Sequence, residues 1–204
     1  MRVAIVNMKG GAGKTTSAVH LSLALAARGR TLLIDADPQG SLLSWRTAAG
    51  DDWPAAQLST SGLAVPDLHK QLAPLAADYE HVVIDTPPEV EVIVKAAVLA
   101  AELVLLPIPP NLIDLDRLKP TLDLLTEVEP IHPGNLQVQI LLTRMRRGTN
   151  SARDAKQALE QLGMPILKAE IPLLERYASA FGTAVVGTDY EAVLEELLAA
   201  EVAA

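Results

Sequence analysis

No cysteine occurs among the 204 residues, which removes disulfides, iron–sulfur clusters and thiolate metal sites at once. Aromatic residues are scarce as well, at 3% of a chain that is 50% hydrophobic. The core must be built mainly from Leu, Val, Ile and Ala, which favours an α/β protein over a small fold centred on aromatic rings. No apolar run reaches the roughly 20 residues of a membrane span. The richest stretch, VIVKAAVLAAELVLLPIP, carries Lys95 and Glu102 and ends in prolines, so it reads as a helix followed by a buried strand. The opening MRVAIVN is too short an apolar run for a secretion signal, and a cytoplasmic protein with no membrane partner is expected. His20, His69, His81 and His132 lack ligand-like spacing, so no zinc site is expected. Basic residues are outnumbered, 17 against 25 acidic, for a net charge of −8. As an average that argues against nucleic acid, but the distribution is uneven. Residues 144–156, RMRRGTNSARDAK, hold Arg144, Arg146, Arg147, Arg153 and Lys156 against Asp154 alone, whereas residues 189–204 carry acids and no base.

What is present is an alternation of two patterns. Residues 3–7, 31–36, 81–86, 103–108, 137–143 and 164–171 read as strands. Most are continuously apolar, as strands covered on both faces are. Helical patterns fall at 14–28, 66–77, 90–101, 112–128, 151–162 and 189–201. This spacing predicts a doubly wound, mostly parallel sheet with helices on both faces. No repeat, low-complexity tract or linker interrupts it, so residues 1–204 read as a single domain.

Ligands on such sheets bind beyond the carboxyl ends of the strands, and the polar residues of interest fall there. After the first strand comes NMKGGAGKTT, residues 7–16. The phosphate-loop pattern G-x-x-x-x-G-K-[ST] would put its first glycine at position 8, where Met8 stands; a second lysine, Lys9, precedes Gly10 and Gly11 instead. Gly10, Gly11, Ala12 and Gly13 let the backbone turn its N–H groups toward phosphate oxygens, and a helix beginning near Lys14 adds its positive end. Lys14 supplies charge to the β and γ phosphates, Thr15 a hydroxyl for Mg²⁺, and Thr16 reaches the α phosphate. Asp85 ends the apolar run VVIDTPP, where a carboxylate holds Mg²⁺ through water. LLIDADPQG adds Asp35 at a strand end near the metal, and Asp37 in a loop able to orient or deprotonate an attacking water. Asp37-Pro38 also reads as a turn that merely breaks the strand.

Together these stretches resemble the ParA/MinD superfamily of P-loop ATPases. KGGAGKTT is similar to its deviant Walker A box, DADPQGS to its second acidic motif, and DYEHVVIDTPP to its Walker B region. PIPPNLIDLDRL and EIPLLERYASAFGTAV are similar to its later segments, so the likeness runs along nearly the whole chain. The resemblance implies ATP hydrolysis with Mg²⁺, and a homodimer that forms when two ATP molecules are sandwiched between subunits. Lys9 then contacts the phosphates of the neighbour's ATP, a role that gives the second ammonium an anion to meet. The other reading is that Lys9 adds charge within its own subunit. Pro172 is placed at the nucleotide by the same resemblance, and Arg144 beside the adenine.

Among branches of the family, the lack of cysteine excludes the iron–sulfur carriers. The acidic EELLAAEVAA end lacks the basic amphipathic helix of membrane-bound members. Entry into the first strand at Arg2 leaves no N-terminal helix-turn-helix extension. The small ParA type, similar to ParF-like plasmid partition proteins, remains. It implies non-specific binding to nucleoid DNA and a cargo adaptor that stimulates hydrolysis. Arg146, Arg147 and Arg153, with Arg176 by resemblance, are the candidates for DNA phosphates, although a surface arginine cluster also reads as a solvated face. Two other functions stay open: a metabolic ligase or kinase of the dethiobiotin synthetase kind, and a positioning switch without DNA.

Overall fold

The computed structural model describes residues 1–110, 118–146, 148–161 and 163–203. Six strands form one sheet: β1 (Arg2–Ile5), β2 (Thr31–Asp35), β3 (Leu58–Gly62), β4 (His81–Asp85), β5 (Leu103–Ile108) and β6 (Gln137–Leu142). Their order is β3-β2-β4-β1-β5-β6, and every pair is parallel. The helices are α1 (Lys14–Ala26), α2 (Ser41–Ala49), α3 (Leu68–Leu75), α4 (Glu91–Ala100), α5 (Lys119–Val128), α6 (Asn150–Gln161), the single turn α7 (Glu175–Ala178) and α8 (Tyr190–Ala203).

Period-two alternation along the buried strands divides the core in two. Val3, Ile5, Leu33, Val83 and Leu105 point to the face covered by α1, α2 and α8. Ala4, Leu32, Ile34, Val82, Ile84 and Val104 point to the face covered by α3, α4 and α5. Because both faces are covered, these strands are apolar at nearly every position. Helix α1 lies deep in one layer, with Leu21, Leu23 and Leu25 almost fully buried. Among the described residues no helix is long and apolar enough to cross a membrane.

The expected doubly wound parallel sheet is present, with differences of detail. Strand β3, helix α2 and the single turn α7 have no counterpart in the sequence reading. LSTSG carries no apolar alternation and forms a strand because it pairs along its length with β2, while α2 is a short SLLSWRTAA run. The strand expected over 164–171 is absent as a ladder. That segment meets β6 and the turn after it at isolated bridges, Ile140–Ile166 and Met145–Pro172, and by a single bond from the Ile171 N–H to the Leu142 carbonyl at 2.9 Å. Between the bridges the amides of Lys168 and Ala169 donate to the Glu196 carboxylate at 2.8 and 2.9 Å, so an acid on α8 takes hydrogen bonds that a ladder would need. The first part of the helix expected over 112–128 falls outside the described residues.

Four aromatic residues, Trp45, Tyr177, Phe181 and Tyr190, gather around one histidine. His20 of α1 stacks on Tyr190 (5.4 Å between centroids, planes 11° apart) and meets Trp45 and Tyr177 edge to face. Burial lowers its pKa to about 4. The unfolded chain, near 6.5, therefore binds more protons than the folded one between these values, so stability falls as pH drops from about 6.5 towards 4. The difference is about 3 kcal/mol once both pKa values are passed. Urea titrations at pH 7.5 and 4.5 should show most of this loss, and His20→Leu should remove that share of it. An equal acid loss in the variant refutes the assignment.

Candidate nucleotide site

The loop between β1 and α1 is built by polar side chains that fix its backbone. Buried Asn7 donates through Nδ2 to the Pro107 carbonyl at 2.9 Å and accepts the Lys9 N–H on Oδ1 at 2.8 Å. Met8, at the position of the missing glycine, donates its N–H to the Thr121 hydroxyl at 3.1 Å. Gly11 and Gly13 have φ of 74° and 94°, a left-handed conformation that side-chain-bearing residues avoid. The Gly13 turn hands the chain directly to α1.

Lys14 is buried, and its ammonium donates to the Lys9 carbonyl at 3.0 Å. Burial lowers its pKa, while the charges of Asp85 and Asp37 oppose that shift. The strand register sets Asp35 directly beside Asp85, so two buried carboxylates share one row at the sheet's carboxyl end. Asp85 is pushed up to about 7, first by burial and then by Asp35; Thr15 and Lys14 pull it back down. Neither Asp85 oxygen has a partner at hydrogen-bonding geometry among the described residues. An orphaned buried carboxylate beside a threonine hydroxyl suits a hydrated Mg²⁺.

Asp35 differs. Its Oδ1 accepts the Asp37 N–H at 3.1 Å and its Oδ2 the Leu43 N–H at 3.0 Å. The sequence reading puts it near the metal; in the structure both of its oxygens are engaged in shaping the Asp37 loop and the start of α2. Asp37 is half-buried, and its Oδ1 accepts the Gln39 N–H at 2.9 Å.

Two clefts meet at this loop. One is lined by Gly10, Gly11, Gly13, Lys14, Thr15, Thr16 and Asp37, with Thr86 and Pro88 opposite. The other is mainly apolar, formed by Thr143, Ile171, Pro172, Leu173, Leu174, Tyr177 and Tyr190. Gly13, Thr16 and Arg144 line both. A polar, amide-rich cleft continuous with an apolar one has the form of a nucleotide, phosphates first and base second. Arg144 itself has a left-handed backbone, φ 54°. Tyr190 is fixed by its hydroxyl to Ser17 Oγ at 2.9 Å.

The basic candidates are less uniform than the sequence suggests. Arg146 and Arg153 are exposed, and Arg147 lies outside the described residues. Lys156 is paired with Glu170 at 2.9 Å. Arg176 is ion-paired with Asp189 and lies over the Tyr177 ring, 5.2 Å from its centroid. Asn7, Thr121 and Thr143 were missed in the sequence. Asn7 carried a signal, as a polar residue closing an apolar strand, but Thr121 reaches Met8 across 113 positions and Thr143 reaches Ala12 across 131. No local pattern marks such contacts.

A parallel sheet, a glycine loop leading through Lys-Thr into a helix, and an aspartate ending the neighbouring strand define a P-loop nucleoside triphosphatase. The chain matches the CobQ/CobB/MinD/ParA nucleotide binding domain over residues 3–185 and belongs to that family. It is 39% identical over 177 residues to the maintenance of carboxysome distribution protein A of Gloeobacter kilaueensis, covering 83% of this chain and 75% of the relative. It is 30% identical over 220 residues to the chromosome partitioning protein ParA of Caulobacter vibrioides, covering 87% and 82%. Its fold is similar to that of a Cyanothece McdA variant in complex with ATP, with TM-score 0.78 and 22% identity over 96% of this chain and 95% of that one. The protein is a ParA-type ATPase that splits ATP to ADP and phosphate.

Proposed function

We propose that this ATPase forms a dimer around two ATP molecules, binds DNA without sequence preference in that state, and positions a large cargo. An adaptor protein bound to the cargo stimulates hydrolysis and releases the dimer. The observation that carries the reading is the setting of Lys9 in the phosphate loop. Its N–H is held by Asn7 and its carbonyl by Lys14, so Lys9 takes its place in the loop through its backbone, while Lys14 is the ammonium seated among the loop's own groups.

Within each subunit, Gly10, Gly11, Ala12 and Gly13 cradle the phosphates, Lys14 balances their charge, and Thr16 reaches the α phosphate. Thr15 and Asp85 hold Mg²⁺, with Asp35 fixing the loop beside it. The ion supplies charge neutralisation at the phosphates. Asp37 orients the attacking water. Arg144 and Pro172 bracket the base. The 39% relative, named for carboxysome distribution, supports a protein compartment as cargo. The relative named for chromosome partitioning supports a chromosome. Residues 1–204 act as one ATPase domain.

DNA binding is assigned to Arg146, Arg147 and Arg153, doubled by the dimer and directed at backbone phosphates. Arg176 contributes only if its pair with Asp189 opens. The pairing of Lys156 and Arg176 supports one second reading, a positioning switch without DNA. An Arg146→Glu, Arg153→Glu double variant separates the two. Anisotropy on random duplex should show ATP-dependent binding by the parent that weakens steeply with salt, as counterion release requires. The variant should lose that binding yet still dimerise with ATP. A parent without ATP-dependent DNA binding leaves the switch as the function.

A further inference from the structure

Thr143 follows β6 and is buried at 3% exposure. Its N–H donates to the Ile108 carbonyl at 2.9 Å, which anchors it to the sheet. Its hydroxyl donates to the Ala12 carbonyl, inside the phosphate loop, at 3.3 Å. That is long for a hydroxyl hydrogen bond, so the contact can tighten as the loop closes on phosphate.

The next residue is the left-handed Arg144, φ 54°. Side-chain-bearing residues occupy this region sparsely, and such positions concentrate where a chain switches between arrangements. Met145 is then clamped on both sides: its N–H donates to Ile171 and its carbonyl accepts the Leu173 N–H, each at 2.9 Å. Ile171 and Leu173 are walls of the apolar cleft. Arg146 comes next, exposed, and its carbonyl accepts the Thr149 hydroxyl at 2.9 Å. Within four residues the chain therefore passes from the phosphate loop, along the base-side wall, to the first basic residue of the segment assigned to DNA.

We propose that Thr143 is a positioning residue whose hydroxyl couples occupancy of the phosphate loop to the setting of Met145 and Arg146. The left-handed Arg144 is the joint between them. A shift of the Ala12 carbonyl on phosphate binding passes through Thr143 to the joint, and from there to Arg146 and to the cleft wall that Met145 bonds. The link to DNA rests on the reading above; the coupling from the loop to Met145 and Arg146 does not.

Hydrogen exchange on the full chain tests it, with and without saturating Mg²⁺ and a slowly hydrolysed ATP analogue. In the parent, nucleotide should slow exchange both in residues 9–16 and at 145 and 146. Thr143→Val keeps the side-chain shape and removes the hydroxyl. It should retain the slowing at 9–16 and lose about fivefold or more of that at 145 and 146; Thr143→Ser should restore it. A purely structural role would not give this split with rescue. If Thr143→Val does not fold, Thr143→Ala supplies the same comparison. The proposal is overturned if 145 and 146 do not respond in the parent, respond equally in the variant, or lose their response only together with 9–16. Anisotropy on random duplex then reads the output. The ATP-dependent gain in DNA affinity should fall in Thr143→Val and return in Thr143→Ser, whereas exchange coupling in a parent that binds no DNA removes only the DNA reading.

Discussion

An Asp37→Ala protein should bind ATP and dimerise, with turnover reduced by about 10²- to 10⁴-fold, the range for losing a group that orients or deprotonates a reacting water. The structure indicates why the loss should be confined to chemistry. Asp37 is half-buried, and among the described residues its carboxylate carries one hydrogen bond, from the Gln39 N–H. The loop around it is held by Asp35, which accepts the Asp37 and Leu43 amides and is untouched by the substitution. ATP-dependent dimers of the variant should persist in size-exclusion runs after those of the parent have decayed. Phosphate release at the parent's rate would remove Asp37 from the reaction. The test needs no partner protein, since it compares basal rates.

Lys9→Ala should have the opposite signature: nucleotide held, dimer lost. The Lys14 ammonium donates to the Lys9 backbone carbonyl, and the Lys9 N–H is fixed by Asn7. Truncating the side chain therefore leaves these two backbone bonds in place. In the proposed dimer, what disappears is a cation facing phosphates across the interface. Truncating one partner of a buried charge pair costs about 2–5 kcal/mol, and the two-fold dimer contains the contact twice. Lys14→Ala is the contrast, because on the proposed reading it removes the ammonium for the subunit's own phosphates and should abolish nucleotide binding altogether.

Much of the fold was legible because strands covered on both faces are apolar throughout: VVID and LVLLPI leave little alternative. Strand β3 was not, since LSTSG owes its conformation to β2 rather than to its own side chains. The 164–171 segment misled in the other direction, as an apolar run whose amides at Lys168 and Ala169 turn to Glu196. At the site, glycines, Lys14-Thr15 and strand-end aspartates announced the phosphate cleft. Their division of labour was hidden. Asp35 and Asp85 look alike in sequence, yet one is saturated by backbone amides and the other is orphaned. The basic cluster looked uniform until Lys156 and Arg176 were found in ion pairs.

The central claim is that one subunit's Lys9 completes the other subunit's nucleotide site. Its most direct measurement is the mass of Lys9→Ala in solution by sedimentation, with Mg²⁺ and a slowly hydrolysed ATP analogue, alongside binding of a fluorescent analogue to the same sample. Nucleotide-loaded monomers at concentrations where the parent is dimeric are the predicted result. Nucleotide-loaded dimers as tight as the parent's would contradict it.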